Sequence, residues 1–456
     1  MSHNHERVNF GSKIGAILAA AGSAVGLGNI WRFPYETGNH GGAAFIIIYL
    51  LCIFSVGLPI MIAEFVVGRR AKASTGASFE KLAPGTWWKY VGFIGVLTGF
   101  IIYGYYSVVA GWTVEYLYQT VTGGLLGKDA EGYIQQFASF SQDPVRPLIW
   151  LLVFISVTHL VIVRGVKDGI EKSSKILMPV LFILVVILAI CSVMLPGAEK
   201  GVEFLLKPDF SKVNSDVFLG AMGQAFYSLS LGMGCLSTYA SYFGKNTRLG
   251  HTAISVGVID TFVAIVAGLI IFPAAFSVGI QPDAGPSLIF ITLPNVFQQA
   301  LGHIPFVALA CSTTFYLLLT LAALTSTISL HEVSTAFLHE RFGFTRNKAS
   351  FLISIGCLTT GVVASLSLGD WKEYTIAGLS IFDALDYVTA KIMLPSAGAL
   401  GAIFVGWVLD KKVLKDEVTN YGTLKVWYYP IFRFILRYIS PVFVMLIFLN
   451  EMGVFK

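Results

Sequence analysis

The chain has 456 residues, of which 55% are hydrophobic and only 12% charged, with a net charge of +5 and a mean hydropathy of +0.73. Soluble proteins carry about 25% charged residues. A soluble globular domain is therefore excluded, and the bilayer is the expected solvent. Cys52, Cys191, Cys235, Cys311 and Cys357 all lie in apolar stretches without CxxC spacing, and they read as packed free thiols. The absence of any N-x-[ST] sequon points to a prokaryotic inner (plasma) membrane. The first apolar run reads as retained, not as a cleaved signal.

Apolar stretches fall at 14–35, 42–68, 90–118, 146–163, 174–195, 216–242, 252–276, 305–338, 349–368, 375–409 and 428–452. Each is long enough to cross a membrane, some with tilt. The expectation is one all-α integral membrane domain of eleven transmembrane helices, preceded by a short segment, 1–13. Of the 31 Lys and Arg residues, 20 fall in loops on the side of the N-terminus and seven on the other. That bias places the N-terminus in the cytoplasm and the C-terminus outside.

Two of these stretches are interrupted. Residues 22–33 read GSAVGLGNIWRF and residues 223–234 read GQAFYSLSLGMG. The glycine breaks occupy corresponding positions, the first and sixth segments, if 14–195 and 216–409 are two repeats of five helices. Irregular backbone at membrane depth is tolerated only where it is buried in protein or lines a cavity. Paired breaks of this kind are a pointer to a transporter's binding site at the midplane.

Unwinding exposes carbonyl oxygens, hard ligands for a small dehydrated cation. It also exposes a half-helix N-terminus, which favours a carboxylate. Asn29 follows the first break, Ser228 and Ser230 precede the second, and Thr325, Ser326 and Thr327 interrupt an apolar helix. Ionisable residues within the spans are Arg32, Glu64, Asp260, Glu332, Asp383, Asp386 and Lys391. HEVST at 331–335 lacks the second histidine of a zinc HExxH motif, and no nucleophile–base arrangement suggests an enzyme.

AGSAVGLGNIWRFP, GQAFYSLSLGMG, YASY and ALTS together resemble the bacterial branch of the neurotransmitter:sodium symporter family, through essentially the whole chain. That resemblance implies the leucine-transporter fold, a 5+5 inverted repeat with unwound helices 1 and 6. It implies a sodium-coupled symporter for neutral hydrophobic L-amino acids, with two sodium ions. One ion would be held by Ala24, Asn29, Ser228 and Asp260 with the substrate carboxylate, the other by Gly22, Val25, Ala322, Thr325 and Ser326. The substrate pocket would be Ala24, Gly26, Ile102, Tyr106, Tyr227, Ser230, Met233, Ser326 and Leu330. Gly26 stands where amine carriers have aspartate, so the substrate would bring its own carboxylate. Asp260 with Ala264, where chloride-dependent members have asparagine and serine, implies that no chloride is needed. Tyr49 and Gln224, which match residues around the chloride site, are still present.

The same resemblance implies an outer gate of Arg32 with Asp386, and an inner gate of Arg7 with Glu340 near Tyr242. Gly169 and Pro179 would let the cytoplasmic end of the fifth helix unwind. Glu64 would be a buried structural carboxylate. Lys391 receives no role. Many members have a twelfth helix; this chain stops after eleven, so dimerisation through a twelfth helix is not expected, and the oligomeric state, a monomer or more, stays open. No nucleic-acid partner is expected. The alternatives are a carrier of the same fold for GABA, glycine or an amine, and an ion channel, against which the convergence of buried polar groups on one site argues.

Overall fold

The computed structural model describes residues 8–279 and 287–454. Among these, nine helices are long and apolar enough to cross a membrane: Ala43–Ala71, Lys89–Val121, Arg146–Val163, Val166–Val193, Leu249–Ser277, Pro305–Phe342, Arg346–Leu366, Ile381–Val408 and Tyr429–Glu451. Lys13–Ala24 and Leu27–Asn39 together are also long and apolar enough for a crossing, bent by 61° at the break. The sixth apolar stretch forms two shorter helices, Ser215–Ser228 and Cys235–Ala240, joined by an irregular segment. One expected boundary moves: 375–380 is a small hairpin pairing Thr375–Ile376 with Leu379–Ser380, and the helix begins only at Ile381.

Burial follows from the lipid solvent. Only 28% of the most apolar window of Tyr429–Glu451 is buried, and 33% of that of Val166–Val193. Their outward positions, including Ile183, Ile190, Val442 and Met445, are nonetheless apolar. A solvent-facing helix would carry charges there. Most of the protein interior is one apolar cluster that includes Phe33, Tyr49, Tyr103, Phe272 and Phe315, with two smaller clusters around Tyr239 and Val296.

The first break is a short extended stretch. Val25 has ψ of 110°, and Gly26 has φ −149° and ψ −166°. The second break needs left-handed backbone at Gly232 (φ +83°) and Gly234 (φ +76°), which glycine adopts at little cost. The groups it frees are satisfied by other helices. The Gly232 N–H donates to Glu64 Oε1 at 2.7 Å, and Thr75 Oγ1 donates to the Gly234 carbonyl at 2.6 Å. Glu64 is thus tied to the break, as its expected structural role requires. At the start of the fifth crossing, the Gly11 N–H and the Ser12 hydroxyl donate to Glu171 at 2.6 and 2.8 Å, so this turn holds the N-cap of the first helix. Gly169 lies in the same turn, a π-helix over Val166–Glu171, and Pro179 lies inside the helix that follows.

A buried ion pair anchors the helix Lys411–Val418 to the end of the second crossing. Arg69 Nε is 2.5 Å from Glu417 Oε2, with side chains 2% and 0% exposed, and Arg69 also donates to the carbonyls of Glu417 and Thr247. Removing Arg69 leaves the buried Glu417 carboxylate with only the longer ion pair to Arg70, at 3.8 Å. Arg69→Leu is therefore expected to cost about 3–5 kcal/mol. The check is a thermal-unfolding series in detergent, and an unchanged midpoint would refute it.

Candidate functional site

Between the two breaks lies a small cavity of about 40 Å³. The expected pocket residues Ala24, Gly26, Ile102, Tyr106, Tyr227, Ser230, Met233, Ser326 and Leu330 all line it. Leu27 and Gly28 of the first break line it too, as do Ser23 and Ser329, which sequence reading did not single out. Ser329 sits one helical turn beyond Ser326, a spacing that would have found it.

Backbone polarity faces this space from the first break. The Leu27 N–H donates to the Tyr106 hydroxyl at 3.2 Å, and the Gly26 N–H donates to Asn29 Oδ1 at 3.0 Å. Ser230 Oγ donates to the Ser23 carbonyl at 2.8 Å, which ties the two breaks together. Arg32 lies over the Tyr227 ring, 4.4 Å from its centroid.

Two groups of oxygen donors flank the cavity. In the first, Asn29 Nδ2 donates to Asp260 Oδ1 at 2.7 Å and Ser228 Oγ donates to Asp260 Oδ2 at 2.7 Å. The Tyr49 hydroxyl lies 3.2 Å from Ser228 Oγ and 3.4 Å from Asp260 Oδ2. Asp260 is fully buried, and no basic side chain forms an ion pair with it among the described residues. Ala24 lines the cavity beside Asn29 and Ser228. In the second group, Thr325 Oγ1 is 2.9 Å from the Ala322 carbonyl and 3.4 Å from the Val25 carbonyl, and Ser326 Oγ is 3.2 Å from the latter. Gly22 packs on Thr325: a Cβ built there would lie 3.3 Å from Thr325 Cβ. Carbonyl, hydroxyl, amide and carboxylate oxygens suit a hard cation. Groups of three or more His, Cys, Asp or Glu that would bind a transition metal are absent among the described residues.

The two residues of the expected outer gate do not form an ion pair in this structure. Arg32 forms ion pairs with Glu36 at 3.8 Å and Glu451 at 3.7 Å, and none with Asp386. Asp386 instead accepts from the Tyr105 hydroxyl at 2.9 Å. The physical reason is competition: Glu36 is one helical turn from Arg32, and the last helix brings Glu451 within reach. Lys391, without a role in the sequence, pairs with the other oxygen of Glu451 at 3.4 Å.

The inner-gate expectation rests in part on Arg7. Arg7 lies outside the described residues. Glu340 accepts from the Ser74 N–H at 2.6 Å, while Tyr242 donates to Glu332 at 2.5 Å. Glu332 is paired with Arg346, also at 2.5 Å. Tyr242 thus belongs to a Glu332–Arg346 network that sequence reading missed, because Arg346 reaches it from the next helix.

A model of the sodium:neurotransmitter symporter family matches residues 7–136 and 131–456. An uncharacterized sodium-dependent transporter of Bacillus subtilis, YhdH, is 38% identical, with 98% of each chain covered. The human sodium- and chloride-dependent GABA transporter 2 is 23% identical, over 96% of this chain and 78% of its own. The crystal structure of MhsT in complex with L-phenylalanine superimposes with a TM-score of 0.88 at 43% identity, covering 98% of this chain and 100% of that one. With a family match along nearly its whole length, a similar solved structure, and a cavity between two broken helices, the chain belongs to the sodium:neurotransmitter symporter family of membrane transporters.

Proposed function

We propose that the protein imports neutral hydrophobic L-amino acids by alternating access, each coupled to two sodium ions and independently of chloride. The observation that carries this reading is the cavity between the breaks, with an uncharged Gly26 at its polar end and Ile102, Met233 and Leu330 on its walls. Tyr106 accepts from the Leu27 N–H, which leaves its own O–H to donate to a substrate carboxylate. The N-terminus of Leu27–Asn39 adds its dipole to the same point. The wall residues suit an aliphatic or aromatic side chain, and the neighbour MhsT binds L-phenylalanine.

Sodium is a substrate in this scheme. Asn29, Ser228, Asp260 and the Ala24 carbonyl would hold one ion together with the substrate carboxylate, which makes binding of the two interdependent. Gly22, Val25, Ala322, Thr325 and Ser326 would hold the second and join the first broken helix to Pro305–Phe342. Eleven crossings, arranged as repeats over 14–195 and 216–409 with 428–452 outside them, would supply the rocking halves. The charge bias would set the N-terminus in the cytoplasm of a plasma-membrane protein.

A binding screen of the twenty amino acids, GABA and simple amines, with and without sodium, tests the substrate class. Sodium-dependent binding of hydrophobic amino acids supports it, while preference for GABA or an amine overturns it. Thr325→Val with Ser326→Ala is expected to raise the sodium concentration for half-maximal binding about tenfold or more, since lost oxygen ligands leave a dehydrated cation under-coordinated. An unchanged sodium titration would remove these residues from the second site.

A further inference from the structure

We propose that Glu451, at the end of the last helix, is a positioning residue of the outer gate: it holds Arg32 away from Asp386 while the path to the cavity is open, and yields Arg32 to Asp386 when the path closes. The inference rests on the symporter reading of the cavity, and it assigns work to a helix that lies outside both repeats. Glu451 touches three moving parts. Its Oε1 is 3.7 Å from Arg32 Nη2 on the first broken segment, and its Oε2 is 3.4 Å from Lys391 Nζ. Its side chain also lies against Gly223 in the outer half of the second broken segment, 3.6 Å from where a Cβ would stand.

Three anions compete for Arg32. Glu36 pairs with it at 3.8 Å, but is engaged by His40 Nδ1 at 3.3 Å. Asp386 lies within electrostatic reach of both Arg32 and Lys391, yet takes its hydrogen bond from Tyr105. Both contacts of Arg32 are about 1 Å longer than a charge-assisted hydrogen bond, typically about 2.7–2.9 Å. A guanidinium held this loosely, partly exposed and lying on the Tyr227 ring, can change partners at small cost. Lys391 keeps Glu451 in place by occupying its other oxygen, which gives that lysine its role.

The test reads gate opening without any substrate. The five native cysteines are replaced, and Ile102→Cys, in the cavity wall, reports access to a membrane-impermeant thiol reagent added outside. Glu451→Gln keeps the shape and removes the charge. Arg32 is then left to Asp386, and the labelling rate should fall about fivefold or more, as expected for a coupled two-state element. In an Asp386→Asn background the same change should alter the rate by less than about 1.5-fold. Unchanged labelling in the first background, or an equal factor in both, overturns the proposal, because a merely structural carboxylate would act independently of Asp386. A chain that accumulated no amino acid would still report on this gate, so failure of the transport reading is seen separately.

Discussion

Asp260→Asn combined with Ala264→Ser is expected to lose transport by about 100-fold in gluconate and to recover a substantial part of it in chloride. The fully buried Asp260 carboxylate accepts from Asn29 and Ser228, with Tyr49 at the edge of reach. Its charge can balance a sodium ion held beside Asn29 and Ser228. A chloride placed about 5 Å away would instead cost about 3 kcal/mol at an effective dielectric constant of 20. That is a factor of about 100 in binding, so the wild type should transport equally well in either anion. Neutralising Asp260 removes the balance. The added hydroxyl at 264 and the Gln224 amide, which is fully buried with neither polar atom hydrogen-bonded, then offer donors to an anion from solution. Uptake into proteoliposomes under an imposed sodium gradient is the measurement. Chloride dependence in the wild type, or a double variant fully active in gluconate, would sink the assignment.

Much of the cavity was legible because its residues announce themselves against a lipid background. A glycine pair, an asparagine or three successive hydroxyl residues within an apolar run must be satisfied internally, so Gly26, Asn29 and Thr325 stand out. Asp260 stands out for the same reason. What stayed hidden depends on docking between distant elements. Sequence reading paired Arg32 with Asp386, but the last helix sets Glu451 beside it, 419 positions away. Glu332 was noted as a charge within a span; its partner Arg346 is fixed by how two successive helices cross. The hairpin at 375–380 was hidden by apolar residues that read as a helix start. The fold followed from local apolar length, while the ion-pair partners followed from tertiary geometry that no local pattern encodes.

Gly26→Ala should weaken substrate binding about 10- to 100-fold. The backbone is not the obstacle, since φ −149° and ψ −166° is extended and open to any residue. Space is. A Cβ at 26 would lie 2.6 Å from Ser326 Oγ and 3.4 Å from the Tyr106 hydroxyl. Ser326 could swing its single oxygen away, but that oxygen now faces the Val25 carbonyl at 3.2 Å. Relief of the clash would therefore be won by giving up an oxygen of the second cation group, and the methyl would crowd the hydroxyl meant for the substrate carboxylate. Overpacking of this kind costs about 1–3 kcal/mol, the source of the expected range. Because the loss runs through Ser326, the sodium requirement should rise together with the substrate constant. Adding Ser326→Ala removes the clashing atom, so the double variant should regain packing without regaining sodium affinity. Binding titrations of the amino acid at several fixed sodium concentrations separate these effects, and a Gly26→Ala protein that binds like the parent at low sodium would show that the close approach of the first break to Ser326 has no part in function.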